Sequence, residues 1–181
     1  MNKKVLYLVH AAVIAALYVV LTMLARLLGL DSGVIQVRFS EALTVLPFFT
    51  SAAIPGLFIG CLLSNLLLGN LPLDVIFGSL ATLLGAVGTY LVSRPVKSGA
   101  ATAKQSLRRW LAPIPPIAAN TLIVPFILAY VYRFEGSVPY FMLTVGAGEV
   151  ISCGVLGLIL LTALLKYRKY IFPLPQENKP A

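Results

Sequence analysis

Apolar residues in this chain come in long unbroken runs with polar residues confined to their ends. A membrane-spanning helix needs roughly 20 apolar residues. Four runs reach that length, at about 5–28, 73–93, 108–132 and 138–166. The segment 42–68 is long for one helix and short for two, and Pro47 and Pro55 interrupt it. Proline removes a donor and clashes with the preceding turn, so the pattern predicts short helices at about 41–50 and 54–69 with a turn between. The stretch 34–40 reads differently. Ile35, Val37 and Phe39 alternate with Gln36, Arg38 and Ser40, the period of an extended segment with two faces. It predicts a lid between the first two helices. Ser40 then caps the second helix, with Glu41 in its first turn near the positive dipole end.

Charge decides the helix count. Eleven of the 14 Lys and Arg lie in three places: Lys3 and Lys4; Arg94, Lys97, Lys104, Arg108 and Arg109; Lys166, Arg168, Lys169 and Lys179. With 42–68 as two spans, all three clusters fall on one side, as the cytoplasmic excess of basic residues requires. The expected fold is an all-α membrane protein. It is one integral membrane domain over 1–181, with six transmembrane helices, the second and third short. Both termini are cytoplasmic, and 170–181 forms a tail. The net charge of +8 belongs to span ends rather than to one face, which excludes a nucleic-acid partner. At 59% hydrophobic and 11% charged, the chain has no room for a sizeable soluble domain. Cys61 and Cys153 read as small packing residues, and His10, with no Cys, Asp or Glu beside it, reads likewise.

Against that apolar background the acids stand out. Glu41, Asp74 and Glu149 are three of the six acidic residues, and each lies in or at the edge of an apolar run. An ionisable group there is costly and marks a functional site by default. Each has a bland reading too: Glu41 pairs with Arg38 at the surface, Asp74 caps a helix, and Asn120 satisfies a backbone break near Pro116 or Pro125. Glu149 has no cation near it in sequence. These groups, with Gln36 and Arg38, converge on the outer half of the bundle, while the inner half is nearly all apolar. A channel or relay wants polar groups along its whole path. The pattern predicts instead a cavity open to the outside and closed below.

No HExxH, GxSxG, Walker A or paired-Asp motif is present, so the chain is read as a binding or transport protein, not an enzyme. Small residues four apart, Ala11/Ala15 and Ala12/Ala16 on the first helix and Gly148/Ser152 on the last, favour close helix packing.

The runs QVRFSEALTVLPFF, AAIPGLFIGCLLSN and PLDVIFGSLATLLGA resemble the QueT-type queuosine-precursor transporters. These are substrate-binding S components of energy-coupling factor (ECF) vitamin importers. The segments ANTLIVPFILAY and GAGEVISCGVLG fit as well, so the resemblance covers residues 5–168. It implies a six-helix bacterial membrane protein whose first outer loop closes over a pocket. It also implies docking through an AxxxA motif, here Ala11, Ala12, Ala15 and Ala16, on a transmembrane coupling subunit with two cytoplasmic ATPases. ATP is used by those partners and the chain needs no cofactor of its own. The implied ligand is a 7-deazaguanine (7-cyano, 7-aminomethyl or queuine). Glu149 then accepts the paired N–H donors of a guanine-type edge. Asp74 or Glu41 meets an ammonium, and Asn120 or Gln36 serves other polar positions. Phe39, Phe49 and Tyr130 are candidates to stack on the ring. The competing reading is a self-sufficient small secondary carrier for a purine-like or cationic solute.

Overall fold

The computed structural model describes residues 2–30, 36–97 and 102–171. Residues 34 and 35 of the expected lid and the tail from 172 lie outside the described residues. Every regular element among the described residues is helical. In order they are α1 (Lys3–Leu27), a 3-10 helix (Phe39–Phe48), α2 (Ala53–Leu67), α3 (Pro72–Lys97), α4 (Thr102–Leu111), α5 (Ile114–Phe126), α6 (Val138–Glu149) and α7 (Gly157–Ile171). Four stretches are long and apolar enough to cross a membrane: Lys3–Leu27, Pro72–Arg94, Leu107–Val131 and Val138–Tyr167.

The segment over 39–48 is not an α-helix, and the difference organises the bundle. Ten residues is long for a 3-10 helix, which rarely exceeds three or four. With three residues per turn, side chains at i and i+3 eclipse, so the segment presents three straight rows. Leu43 and Leu46 pack with Ile14 and Tyr18 of α1, Leu57 and Cys61 of α2, and Ala86 of α3. Val45 and Phe48 pack with Ala112 and with Leu161 of α7. The third row carries Glu41 and Thr44, both against Cys153. Positions 40–47 are all buried, so this segment is the axis around which the other helices are set. Its N-terminal residue is not capped by Ser40. Arg38 is the cap, in an extended conformation without a side-chain bond. Ser40 instead lies within the helix and accepts a hydrogen bond from the Thr22 hydroxyl at 2.8 Å.

After this helix the chain turns at 49–52, beside the start of α1: the Tyr7 hydroxyl donates to the Ser51 carbonyl at 3.4 Å. From there α2 runs parallel to α1. The two approach closely because α2 offers glycine. A methyl group on Gly56 would lie 2.7 Å from the Ala11 carbonyl oxygen, and one on Gly60 2.7 Å from Tyr18 Cβ and 3.0 Å from the Ala15 carbonyl oxygen. This separates the two alanine pairs. Ala11 and Ala15 are buried by the α1–α2 contact, whereas Ala12 and Ala16 face outward.

Hydropathy alone reads 98–107 as loop, yet Thr102–Leu111 is helical. The sequence TAKQSLRRWL holds neither Gly nor Pro, and Arg108 ties it to α3 by donating to the Val92 carbonyl at 3.1 Å. The run of Pro113, Pro115 and Pro116 then ends α4 and starts α5, as proline at a first helical turn does. Two π-helical stretches follow, Ile127–Val131 starting two residues after Pro125 and Val150–Leu156 directly after Glu149.

The α1–α2 contact predicts a sharp contrast between two Gly→Ala changes. Gly60→Ala should force the helices apart and destabilise the protein by about 1–3 kcal/mol. A methyl on Gly154 would meet only Val150 and Ile117 side-chain carbons at 3.8 and 3.9 Å, so Gly154→Ala should leave stability unchanged. Thermal melting of the detergent-solubilised variants checks this, and equal melting temperatures would refute the packing argument.

Candidate functional site: a polar cavity above a buried carboxyl pair

Four elements converge on one buried cluster. Glu41 comes from the 3-10 helix, Tyr18 from α1, Asn120 from α5, and Glu149 with Cys153 from the end of α6 and the π-helical turn after it. The Tyr18 hydroxyl donates to Glu41 Oε1. Asn120 Nδ2 donates to Glu41 Oε2 at 3.4 Å. Cys153 Sγ lies 3.1 Å from Glu149 Oε2, to which it donates, and accepts from the Thr44 hydroxyl at 3.4 Å. Donor atoms of Glu41, Glu149 and Cys153 lie within 4.8 Å of one another. Glu41 is 2% exposed, Asn120 4% and Glu149 9%. Two carboxyl groups this close and this dry disfavour a double negative charge. The Arg38 guanidinium supplies positive potential to both. Two carboxylates and a thiol also form a donor set of the kind that holds zinc; here each is engaged by a partner within the chain.

Next to this cluster, at the end of the bundle opposite Tyr7 and Ser51, is a cavity of about 830 Å³. That is in the range of small-molecule sites, roughly 300–1,000 Å³. Thr22 and Arg26 of α1, Gln36 and Arg38 of the extended stretch, and Thr144 and Val145 of α6 line one part of it. Asn65, Asn70, Asp74, Tyr132, Phe134 and Glu135 line another. Asp74, in the first turn of α3, is 8% exposed. Its Oδ2 accepts from the Tyr132 phenol at 2.8 Å. Burial first, and the adjoining Asp74 carboxylate second, push the Tyr132 phenol above its ordinary value, so it stays protonated as the donor. Tyr132 stacks on Phe134 with centroids 5.5 Å apart. Asn70 donates to Asn65 at 3.1 Å, and Arg38 Nη2 to Gln36 Oε1 at 3.4 Å.

The sequence candidates thus fall into three groups. Gln36, Arg38 and Asp74 line the cavity. Glu41, Asn120 and Glu149 lie in the buried cluster. The two layers adjoin, since Val145 of the cavity wall is one helical turn before Glu149 and Thr22 of the wall bonds Ser40, the neighbour of Glu41. Phe39, Phe49 and Tyr130 are not in the cavity wall among the described residues. Phe39 starts the 3-10 helix half-buried. Phe49 packs with Phe48 and the core at the far end. Tyr130 is 70% exposed and stacks on Phe126, while Tyr132, two residues on, lines the cavity. The wall residues Asn65, Asn70, Tyr132 and Glu135 escaped the sequence reading. The signal for the first two was present, since SNLLLGNLPLD places two amides at the rim of an apolar run.

Helices long and apolar enough to cross the bilayer, with a polar cavity at one end and acids buried beneath it, define a multi-pass membrane protein. Comparison with known proteins makes the assignment particular. The family model of the QueT transporter matches residues 8–166, and the chain belongs to that family. A curated relative, the queuosine precursor transporter QueT of Lactococcus lactis subsp. cremoris (strain MG1363), is 44% identical over 85 residues, which is 46% of this chain and 50% of the relative. The chain therefore spans about half the length of the curated relative it matches. No solved structure matches significantly.

The buried cluster carries a stability prediction. Tyr18→Phe removes the donor to Glu41 and leaves an acceptor unsatisfied in a dry site, at a cost of about 1–3 kcal/mol. Unfolding in mixed detergent–dodecyl sulfate micelles measures it; a Tyr18→Phe protein as stable as the parent would show that the phenol does not hold Glu41.

Proposed function

We propose that the chain is the membrane-embedded substrate-binding S component of an ECF-type importer. It captures a queuosine precursor, a 7-deazaguanine in its cyano or aminomethyl form or queuine, from outside the cell. It delivers the ligand inward by docking on a transmembrane coupling subunit driven by two cytoplasmic ATPases. In this reading six helices, counting the two short ones, span the membrane of a bacterial cell, with both termini in the cytoplasm and the cavity outside. The basic residues at the other end support that orientation. Family membership supports the reading, and so does the assignment of the curated relative as a queuosine precursor transporter.

The observation that carries it is the two-layer site, a polar-walled cavity at one end only, over the Glu41–Glu149 pair. A flat heterocycle entering the cavity meets Arg38, Gln36 and Asp74, with Tyr132 and Phe134 as stacking partners. Glu149 has a thiol, a weak donor, as its nearest partner, and shares the Asn120 amide with Glu41. Two adjacent ring and amino N–H groups are far better partners for a carboxylate. Exchange of Cys153 for the guanine edge is therefore favourable, and this is what makes Glu149 the anchor. Ala12 and Ala16 form the small-residue face left open for the coupling subunit.

Calorimetric titration of the purified protein with the three deazaguanines should give binding, with riboflavin silent. Glu149→Gln should weaken it roughly 10- to 100-fold, the range of a hydrogen bond to a charged group. Binding of riboflavin instead would overturn the substrate class, and unchanged affinity in Glu149→Gln would remove its central role. Proteoliposomes with this chain alone should take up no substrate without the ATPase module; uptake by the chain alone would identify a self-sufficient carrier.

A further inference from the structure

Resting on that reading of the cavity, we propose that Gly148 and Ser152 are positioning residues. They seat the main chain of 36–38 and so fix the Gln36 and Arg38 side chains at the cavity wall. Gly148 and Ser152 are one turn apart on the same face of one continuous helical stretch. Small residues at that spacing usually receive another helix. Here they receive extended chain. A methyl group on Gly148 would lie 2.1 Å from the Gln36 carbonyl oxygen, 3.1 Å from its carbonyl carbon and 3.4 Å from its nitrogen. Those are backbone atoms, which cannot turn aside as a side chain does. Four residues later the Ser152 hydroxyl, 1% exposed, accepts the Arg38 N–H at 3.1 Å. Between these two contacts the Val37 N–H donates to the Leu30 carbonyl at 2.9 Å.

Two contacts to α6 and its extension, and one to the end of α1, thus define the path of three residues. The outcome is specific to the site. Gln36 and Arg38 are alternate residues of an extended stretch, so their side chains share a face. They are cross-bonded at 3.4 Å and both line the cavity. Glu149 follows Gly148 directly, so one turn of helix carries both the anchor in the buried cluster and the seat for the wall above it. A ligand that draws on Glu149 and on Arg38 is therefore gripped by groups whose separation is set by this one contact. The glycine is required by the carbonyl that crosses it, and the serine by the amide that would otherwise have no partner.

Amide hydrogen–deuterium exchange of peptides spanning 36–40, with the protein in lipid nanodiscs, tests the seat without any ligand. Ser152→Ala removes an acceptor and adds no bulk. It should raise exchange at the Arg38 amide roughly two- to tenfold, as loss of one hydrogen bond does. Gly148→Ala should do so more strongly. Gly146→Ala is the control, because a methyl there meets only the Thr121 side chain at 3.4 Å; it should exchange as the parent does. Equal exchange in all four proteins, or a Gly146→Ala protein as open as Gly148→Ala, would overturn the seat. If Gly148→Ala fails to fold, the Ser152→Ala comparison decides alone. The positioning role has its own readout: for whichever deazaguanine the parent binds, Ser152→Ala should weaken binding, with the change mainly in the dissociation rate. Faster exchange with unchanged affinity would show a seat that positions nothing. An absence of deazaguanine binding by the parent would refute the proposed function while the exchange result still stands or falls by itself.

Discussion

The interaction on which the rest of this structure depends is the bond between a phenol and a carboxyl group, Tyr18 to Glu41, both buried inside the bundle. In lipid each backbone and side-chain polar group must be satisfied within the protein, and an unpaired one costs several kcal/mol. Placing an acid in the buried first turn of the 3-10 helix is therefore a demand on every neighbour. Tyr18 meets one oxygen and Asn120 the other, so α1 and α5 are fixed relative to the 3-10 helix by polar contacts as well as by fit. The 3-10 geometry matters for the same reason. In an α-helix, residues three apart are offset by about 60°. Eclipsed at three per turn, Glu41 and Thr44 face the same neighbour, and the two apolar rows are left free to pack on α1–α2 and on α7.

The consequence for chemistry is that the polar groups are stratified by how firmly they are engaged. Glu41 is held by an oxygen donor and an amide. Asp74 is held by the Tyr132 phenol at the rim. Glu149 shares the Asn120 amide with Glu41 and otherwise has a thiol, a weak donor, as its partner. Glu149 is also the acid on whose far side the helix loosens into a π-helical stretch, a local irregularity that often accompanies function.

Much of this was legible in the sequence, and the parts that were not share a cause. The four long runs, the break near 49–52 and the unusual acids are visible because each is a contrast between polar and apolar neighbours along the chain. The 3-10 helix is not visible, because a segment buried on every side has no polar face to reveal its period. The Ala11/Ala15 and Ala12/Ala16 pairs look equivalent in sequence. Only the position of Gly56 and Gly60 across the interface decides which pair is inward. Tyr132 lies two residues past Tyr130, and nothing local tells which ring turns to Asp74. Phe49 and Tyr130 were chosen for their rings, and a ring says nothing about the direction in which its helix presents it.

That division of α1 into two faces has a consequence for how a binding event reaches the surface. The inward face carries Ala11, Ile14, Ala15 and Tyr18, the last bonded to Glu41. The outward face carries Ala12 and Ala16, one residue along from each inward alanine and set among exposed Leu8, Val9, Val13 and Leu17. A straight helix with no proline between 3 and 27 moves as a body. On the proposed function, a ligand that changes how Glu41 is held acts on the same helix that offers the open small-residue face, with no intervening loop to absorb the change. The contact between Tyr18 and Gly60 makes the coupling narrower still. There the helices approach so closely that one added methyl would lie 2.7 Å from Tyr18 Cβ, which restricts how α1 can roll against α2. The movement this favours is of α1 and α2 together as a pair, so on the same reading a subunit docking on Ala12 and Ala16 would take hold of both.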